Sequence, residues 1–142
     1  MTVRAIAPDD RAAWEPLWEG YTAFYRHSAP AEVTDATFAR LCAAEDMFGL
    51  VAEEDGELTG LAHCVVHPST WTTASYLYLE DLFVDRAARG SGTGEALIEA
   101  VYREADARGA VRVYWHTQEY NGAARSLYDE VAHRTSFVKY QR

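Results

Sequence analysis

Long hydrophobic runs are missing from this 142-residue chain. No stretch approaches the ~20 consecutive apolar residues that a bilayer-spanning helix needs. Nor does Met1-Thr2-Val3-Arg4 open the extended apolar segment of a secretory leader, so the expectation is a cytoplasmic protein that works away from membranes. Cysteine is scarce: Cys42 and Cys64 cannot build a disulfide framework and match no metal-ligand spacing, which makes reduced thiols the expectation. Basic charge is also short, with 13 Lys and Arg against 22 Asp and Glu and a formal net charge of −9. That balance opposes nonspecific nucleic-acid binding, which depends on a basic surface to displace counterions, and it favours cationic partners. Internal repeats and Pro- or Gly-rich linkers are absent too, so residues 1–142 read as one domain of a size that buries roughly 68–70% of its unfolded surface.

What is present is a mixed α/β pattern. Thr2 to Ala7 reads as a short strand. Asp9 or Asp10 can cap a helix whose apolar stripe holds Trp14, Leu17, Trp18, Tyr21 and Tyr25, and Pro16 inside it is expected to kink or split that helix. A second helix runs from about Asp35 to Ala44 with Phe38, Leu41 and Cys42 on one side. Met47 to Glu53 and Leu58 to His67 form a predicted hairpin around Asp55-Gly56. A polar loop from Pro68 to Ala74 leads into a strand from Tyr76 to Val84. Further on come a helix with Leu97, Ile98, Val101 and Ala105 on one face, stopped by Gly109, a strand over Val111 to Thr117, a helix over Asn121 to Val131, and a last strand over Ser136 to Tyr140.

The most specific signal lies between the fourth strand and the third helix. Tyr76-Leu77-Tyr78-Leu79-Glu80-Asp81-Leu82-Phe83-Val84 is followed by Arg89-Gly90-Ser91-Gly92-Thr93-Gly94 and then by Glu95-Ala96-Leu97-Ile98. An apolar strand, a glycine-rich turn and an amphipathic helix together make a cradle for phosphate, because helix N-termini present free N–H groups and a favourable dipole to an anion. The glycines let the chain turn sharply and let phosphate approach the main chain. A Walker loop is excluded, since Glu95 follows Gly94 where Lys and Ser or Thr are required. A dinucleotide fingerprint is excluded as well, because Glu95 stands where its third glycine belongs. Taken alone, the loop is equally compatible with a plain glycine-rich turn before a helix.

Arg-x-x-Gly-x-Gly after such a strand resembles the pyrophosphate loop of the GNAT superfamily, the Gcn5-related N-acetyltransferases. From Tyr76 to Arg142 the chain is similar to the polyamine-acetyltransferase and Hpa2-like branch, through Leu-Glu-Asp-Leu-Phe-Val and the later Asn121…Leu127-Tyr128 pattern. The N-terminal half agrees by element order only, and Ser136-Phe137 departs from the glycine that the branch often has before the last phenylalanine. The resemblance implies a GNAT fold: an α/β architecture with a central mixed, mostly antiparallel sheet whose strands four and five splay apart to admit pantetheine. It further implies direct acetyl transfer from acetyl-CoA, without a metal, to a small primary amine or polyamine, in a homodimer. Acetylation of protein lysines or N-termini, or acyl-CoA sensing without catalysis, are the alternatives.

Site residues follow the same resemblance. The main chain of Arg89, Gly90, Ser91, Gly92, Thr93 and Gly94 would hold the pyrophosphate, with Arg89 either contacting phosphate or bracing the loop. Backbone near Leu82, Phe83 and Val84 would meet the cofactor and polarise the thioester. Glu80, nine residues before Arg89, matches the branch's proton acceptor, although by itself it reads as an exposed strand carboxylate. Asp81 points to the opposite face of a regular strand, and a bulge would bring it nearer. Tyr128 is the candidate acid for the leaving thiolate; it equally belongs to a buried stripe with Ala124, Leu127 and Val131. Asn121 either caps the last helix or reaches the pantetheine amides. His116 is a secondary candidate base, His63 and His67 lack a third ligand for a metal site, and rings of the first helix border the acceptor side.

Overall fold

The computed structural model describes residues 1–142. A five-stranded sheet runs in the order β1 (Thr2–Ala5), β2 (Met47–Glu54), β3 (Glu57–Ser69), β4 (Thr72–Val84) and β5 (Ala110–Tyr114). The first four strands are antiparallel to their neighbours, while β5 joins β4 in parallel. A parallel step requires a crossover, and helix α3 (Thr93–Ala107) supplies it. Helices α1 (Arg11–Phe24) and α2 (Ala31–Ala43) pack on one face of the sheet, where Trp14, Leu17, Phe38 and Leu41 meet Val51 and Leu61. On the other face Leu97, Ile98 and Val101 of α3 meet Leu50, Ala62, Leu77 and Leu79, and helix α4 (Gly122–Val131) adds Leu127, Tyr128 and Val131 at the margin. No helix is long and apolar enough to cross a membrane.

Turn chemistry decides the β2–β3 hairpin. Asp55 and Gly56 adopt φ of +52° and +81°, the paired positive values of a type I′ turn, whose twist matches that of the flanking strands. Pro16 does not split α1, which is continuous over its 14 residues. Pro16 and Ala12, whose carbonyl loses its partner, both lie on the solvent side, where water replaces the missing bond. Asp10 sits at the N-cap position without capping α1. Its carboxylate instead accepts from the Ala7 N–H at 2.7 Å and from the Arg4 guanidinium at 2.8 and 2.9 Å, tying β1 to the first helix.

Other differences concern strand lengths. The segment expected as a polar loop belongs to a long β3–β4 hairpin in which Pro68 faces Ser75 and Ser69 faces Thr72, leaving Trp71 at the exposed tip. Strand β5 ends at Tyr114 instead of Thr117, because its pairing with β4 stops at Tyr78 opposite Tyr114. The strand expected over Ser136 to Tyr140 does not form. Phe137, Val138 and Tyr140 stand 89%, 72% and 91% exposed; an alternating apolar pattern makes a strand only where a neighbouring edge is in reach.

Candidate active site

The end of β4–β5 pairing opens the sheet. Beyond Tyr78 and Tyr114 the two strands diverge, leaving Leu79–Val84 without a partner on that side and a cleft of about 460 Å3. The cleft is bounded by Leu79, Glu80 and Leu82 to Val84 of β4, Ala88 to Gly90 and Gly92 to Glu95 of the following turn, Trp115 to Thr117 after β5, the inner side of α4, and Tyr21, Phe24 and Tyr25 at the end of α1. The expected separation of strands four and five is therefore present.

A bulge in β4 sets the side-chain order at the cleft. His63 pairs with Asp81 and Cys64 with Leu79, so Glu80 is the extra residue. Before it, Leu77 and Leu79 face α3; after it, Leu82 and Val84 do, and Phe83 joins the α1 side. Glu80 and Asp81 consequently share the α1 face, which strict alternation forbids. Glu80 opens to the cleft, and its carboxyl is held above the usual range by partial desolvation first and by the neighbouring Asp81 charge second. Asp81 lies deeper and accepts from His63 Nδ1 at 2.9 Å.

Backbone direction follows from the same register. Asp85 N–H donates to Thr59 C=O, so residues 85, 83 and 81 bond toward β3 and residues 84 and 82 point the other way, into the gap. Leu82, rather than Phe83, offers its peptide groups to a strand-like ligand in the cleft. The Phe83 ring instead lies beneath α1, so close that a Cβ on Gly20 would come 2.8 Å from it.

The turn after β4 has the geometry of an anion cradle. Gly90 and Gly92 take φ of +82° and +86°, and a Cβ on either meets no protein atom within 4 Å; the space beside them is open. Gly92 is the N-cap of α3, and no side chain caps it. The first helical bond runs from Ala96 N–H to Gly92 C=O, which leaves the amides of Thr93, Gly94 and Glu95 free of helical partners. Arg89 braces the loop, donating from Nε to Val84 C=O at 3.1 Å with its guanidinium 5.7 Å from the Phe83 ring centre. Thr93 is buried and its Oγ1 lies 2.9 Å from Ser91 Oγ. Gly94 answers a packing need, since a Cβ there would come 3.2 Å from Leu127 of α4. These residues fit the diphosphate of coenzyme A.

Across the gap, Tyr128 projects from α4 against Trp115, ring centres 5.4 Å apart at 70°. Burial, and next the nearby Tyr25, push its phenol up to about 12, so it remains a proton donor. Asn121 occupies the N-cap position of α4 without capping it; its Nδ2 donates to Thr117 Oγ1 at 3.2 Å. His116 lies at the mouth, 3.2 Å from the Tyr78 hydroxyl. His67 sits apart from His63, bonded to the Tyr114 hydroxyl at 2.7 Å. Sequence reasoning did not single out Trp115, Leu79 or Glu95 as cleft residues; the strand divergence that exposes them leaves no local pattern.

Comparison with known proteins agrees with this geometry. The model of the acetyltransferase (GNAT) family matches residues 14–132. The D-amino-acid N-acetyltransferase HPA3 of Saccharomyces cerevisiae is 40% identical over 145 aligned residues, covering 100% of this chain and 90% of that protein. The uncharacterized N-acetyltransferase YhfO of Bacillus subtilis is 32% identical, covering 99% and 95%. Among solved structures, AAC(6')-Iy in complex with a bisubstrate analogue, CoA-S-monomethyl-acetylneamine, superposes with a TM-score of 0.87 over 99% of this chain and 96% of its own, at 19% identity. The splayed sheet, the uncapped glycine turn and the match over most of its length make this chain a member of the GNAT family, an acetyl-CoA-dependent N-acetyltransferase.

Proposed function

We propose that the protein transfers acetyl directly from acetyl-CoA to the primary amine of a small cationic acceptor. The observation that carries this reading is the bulge at Glu80, whose carboxylate lines the same cleft as the Tyr128 phenol. An aliphatic ammonium has a solution pKa near 10.4 and must lose a proton before it attacks. Glu80, with its carboxyl raised, receives that proton, directly or through water. The neutral amine then adds to the thioester carbonyl, whose oxygen draws on the outward-facing amide of Leu82. The tetrahedral adduct expels the thiolate, Tyr128 gives a proton to sulfur, and the proton shed by the adduct's nitrogen restores the phenol. Amides around Gly92 and Thr93 hold the diphosphate, and Asn121 faces the pantetheine arm.

Polyamines suit the acidic character of the chain. The name of the yeast relative favours a second acceptor, a D-amino acid, whose ammonium uses the same carboxylate. A panel of spermidine, sisomicin, D- and L-amino acids and a lysine peptide, read out by thiol release from acetyl-CoA, separates these acceptors. Turnover of at least one small amine above the peptide supports the reading; turnover of the peptide alone, or of none, refutes it.

The working form is a homodimer in this reading. The exposed Phe137, Val138 and Tyr140 and the unpaired outer edge of β5 are open hydrophobic and hydrogen-bonding surface of the kind that a second copy covers. Sedimentation of the full chain at about twice the monomer mass, and at monomer mass after truncation behind residue 132, is the expected result.

A further inference from the structure

Two acids stand side by side in β4, and the register of β3 against β4 decides which of them the cleft receives. Glu80 is the extra residue of the bulge and lines the cleft, whereas Asp81 pairs with His63 and does not line it. Moved by one residue, the bulge would put Glu80 opposite His63 and leave Asp81 as the extra residue. Leu79 would keep Cys64 opposite it and Leu82 would keep Ala62. No apolar side chain changes face in that shift, so hydrophobic burial, which fixes most registers, leaves this one undecided.

A line of three side chains supplies the preference. Trp14 is fully buried and His63 is 3% exposed. Trp14 Nε1 donates to His63 Nε2 at 3.0 Å, and His63 Nδ1 lies 2.9 Å from Asp81 Oδ2. An indole N–H only donates, so Nε2 accepts and the imidazole proton sits on Nδ1, aimed at the carboxylate. Trp14 and Trp18 enclose the imidazole, with ring centres 5.8 and 5.6 Å from its own. A glutamate opposite His63 would bring one more methylene into this filled space, and overpacking is itself costly. The other tie at the bulge is long: the Tyr21 hydroxyl donates to the Glu80 carbonyl at 3.4 Å. The bond from His63 to the Asp81 carboxylate is both shorter and charge-assisted, and it is the stronger of the two.

We propose that His63, anchored by Trp14, is a positioning residue that selects the register of β4: it holds Asp81 opposite itself and so leaves Glu80 as the extra residue, facing the cleft. His63 acts on the reaction through the β4 backbone, without touching substrate. Its effect on turnover rests on the reading of Glu80 as proton acceptor, whereas the register itself is defined without any substrate.

The first test therefore uses the protein alone. In the 15N spectrum of the His63 ring a protonated Nδ1 beside a bare Nε2 is expected, and a proton on Nε2 would refute the tie. Cross-strand Overhauser contacts report the register, and in the native protein position 63 should contact Asp81. In His63→Leu, which keeps bulk and loses both bonds, position 63 should contact Glu80 as well, because losing a bond to a charged group moves the register equilibrium by about 10- to 100-fold. For the acceptor that the amine panel identifies, the same variant should lose about tenfold or more in kcat, with the KM for acetyl-CoA within about twofold of native. His63→Gln offers an acceptor to Trp14 and a donor to Asp81. It should keep the Asp81 contacts and a kcat within about threefold of native. Contacts confined to Asp81 in His63→Leu, or an equal loss of kcat in both variants, would overturn the proposal. If His63→Leu does not fold, Trp14→Phe takes its place with the same two outcomes, since it keeps an aromatic ring in the core and removes the N–H that orients His63. If the contacts move as expected and no amine is turned over, the transfer chemistry fails and the register selection stands.

Discussion

Replacement of Tyr128 by phenylalanine isolates one oxygen atom. The ring packs edge-on against Trp115 and against the α3 core cluster, contacts that phenylalanine keeps. The hydroxyl bonds no other protein group and borders the cleft, so its loss should change stability by no more than about 0.5 kcal/mol. Activity should respond differently. If this phenol protonates the departing thiolate, kcat should fall by about 10²-fold, which corresponds to roughly 2.7 kcal/mol of transition-state stabilisation, with the KM for acetyl-CoA nearly unchanged. With the phenol held at about 12, native kcat should show no falling limb from this group below roughly pH 11. An acetyl thioester of a more acidic thiol needs less help in leaving, so the variant's deficit should shrink with it. The assay is steady-state thiol release on each thioester, beside thermal melts of both proteins. A kcat within about threefold of native, or a deficit independent of the thiol's acidity, would refute the role and leave Tyr128 as packing.

Four other substitutions address the cradle, the base and the N-terminal ion pair. Gly92→Ala puts a side chain at φ +86° at a cost of about 1–2 kcal/mol, with its methyl in the open space of the turn; KM for acetyl-CoA should rise by about tenfold or more, whereas Gly94→Ala, which meets Leu127, should chiefly lower Tm. Glu80→Gln should cut kcat/KM for the amine and remove the rising limb of the pH–rate profile, which in the native protein lies above the ordinary carboxylate range. A carboxyl raised in the fold gives stability that is full below its unfolded pKa and is lost as pH rises through the folded value, so Glu80→Gln should also melt higher than native at pH 8 but not at pH 4. Asp10→Asn reverses that sign: the hydrogen bond from Arg4 lowers this carboxyl, its stabilisation is present above the ordinary carboxylate pKa and fades as pH falls through the lowered one. The variant should lose about 1–3 kcal/mol at pH 7 and approach native stability near pH 2, as read by urea melts.

Much of the molecule was legible from local pattern. Asp55-Gly56 declared its hairpin because both positions must take positive φ, and the Arg89–Gly94 turn declared an anion cradle because glycine, a free helix N-terminus and the strand before it are neighbours in the chain. Helix stripes such as Leu97, Ile98 and Val101 were equally plain, since a 3.6-residue period is a local property. The element order and the resemblance led to the splayed sheet and to acetyl-CoA. The expected strand over Ser136 to Tyr140 went astray because alternation states a capacity to pair, and pairing needs an edge that the sequence does not name.

The sequence by itself determined the family, the glycine turn proposed to hold the cofactor and the residue types available for proton transfer, all of which depend on short-range spacing. Only the tertiary structure decided how they face. One extra residue against β3 places Glu80 and Asp81 on the same side of β4, directs the Leu82 amide into the gap, and brings Asp81 to His63 and Trp14, 18 and 67 positions away in the chain. A bulge is a mismatch between two strands, so it exists in their pairing and in neither strand's sequence.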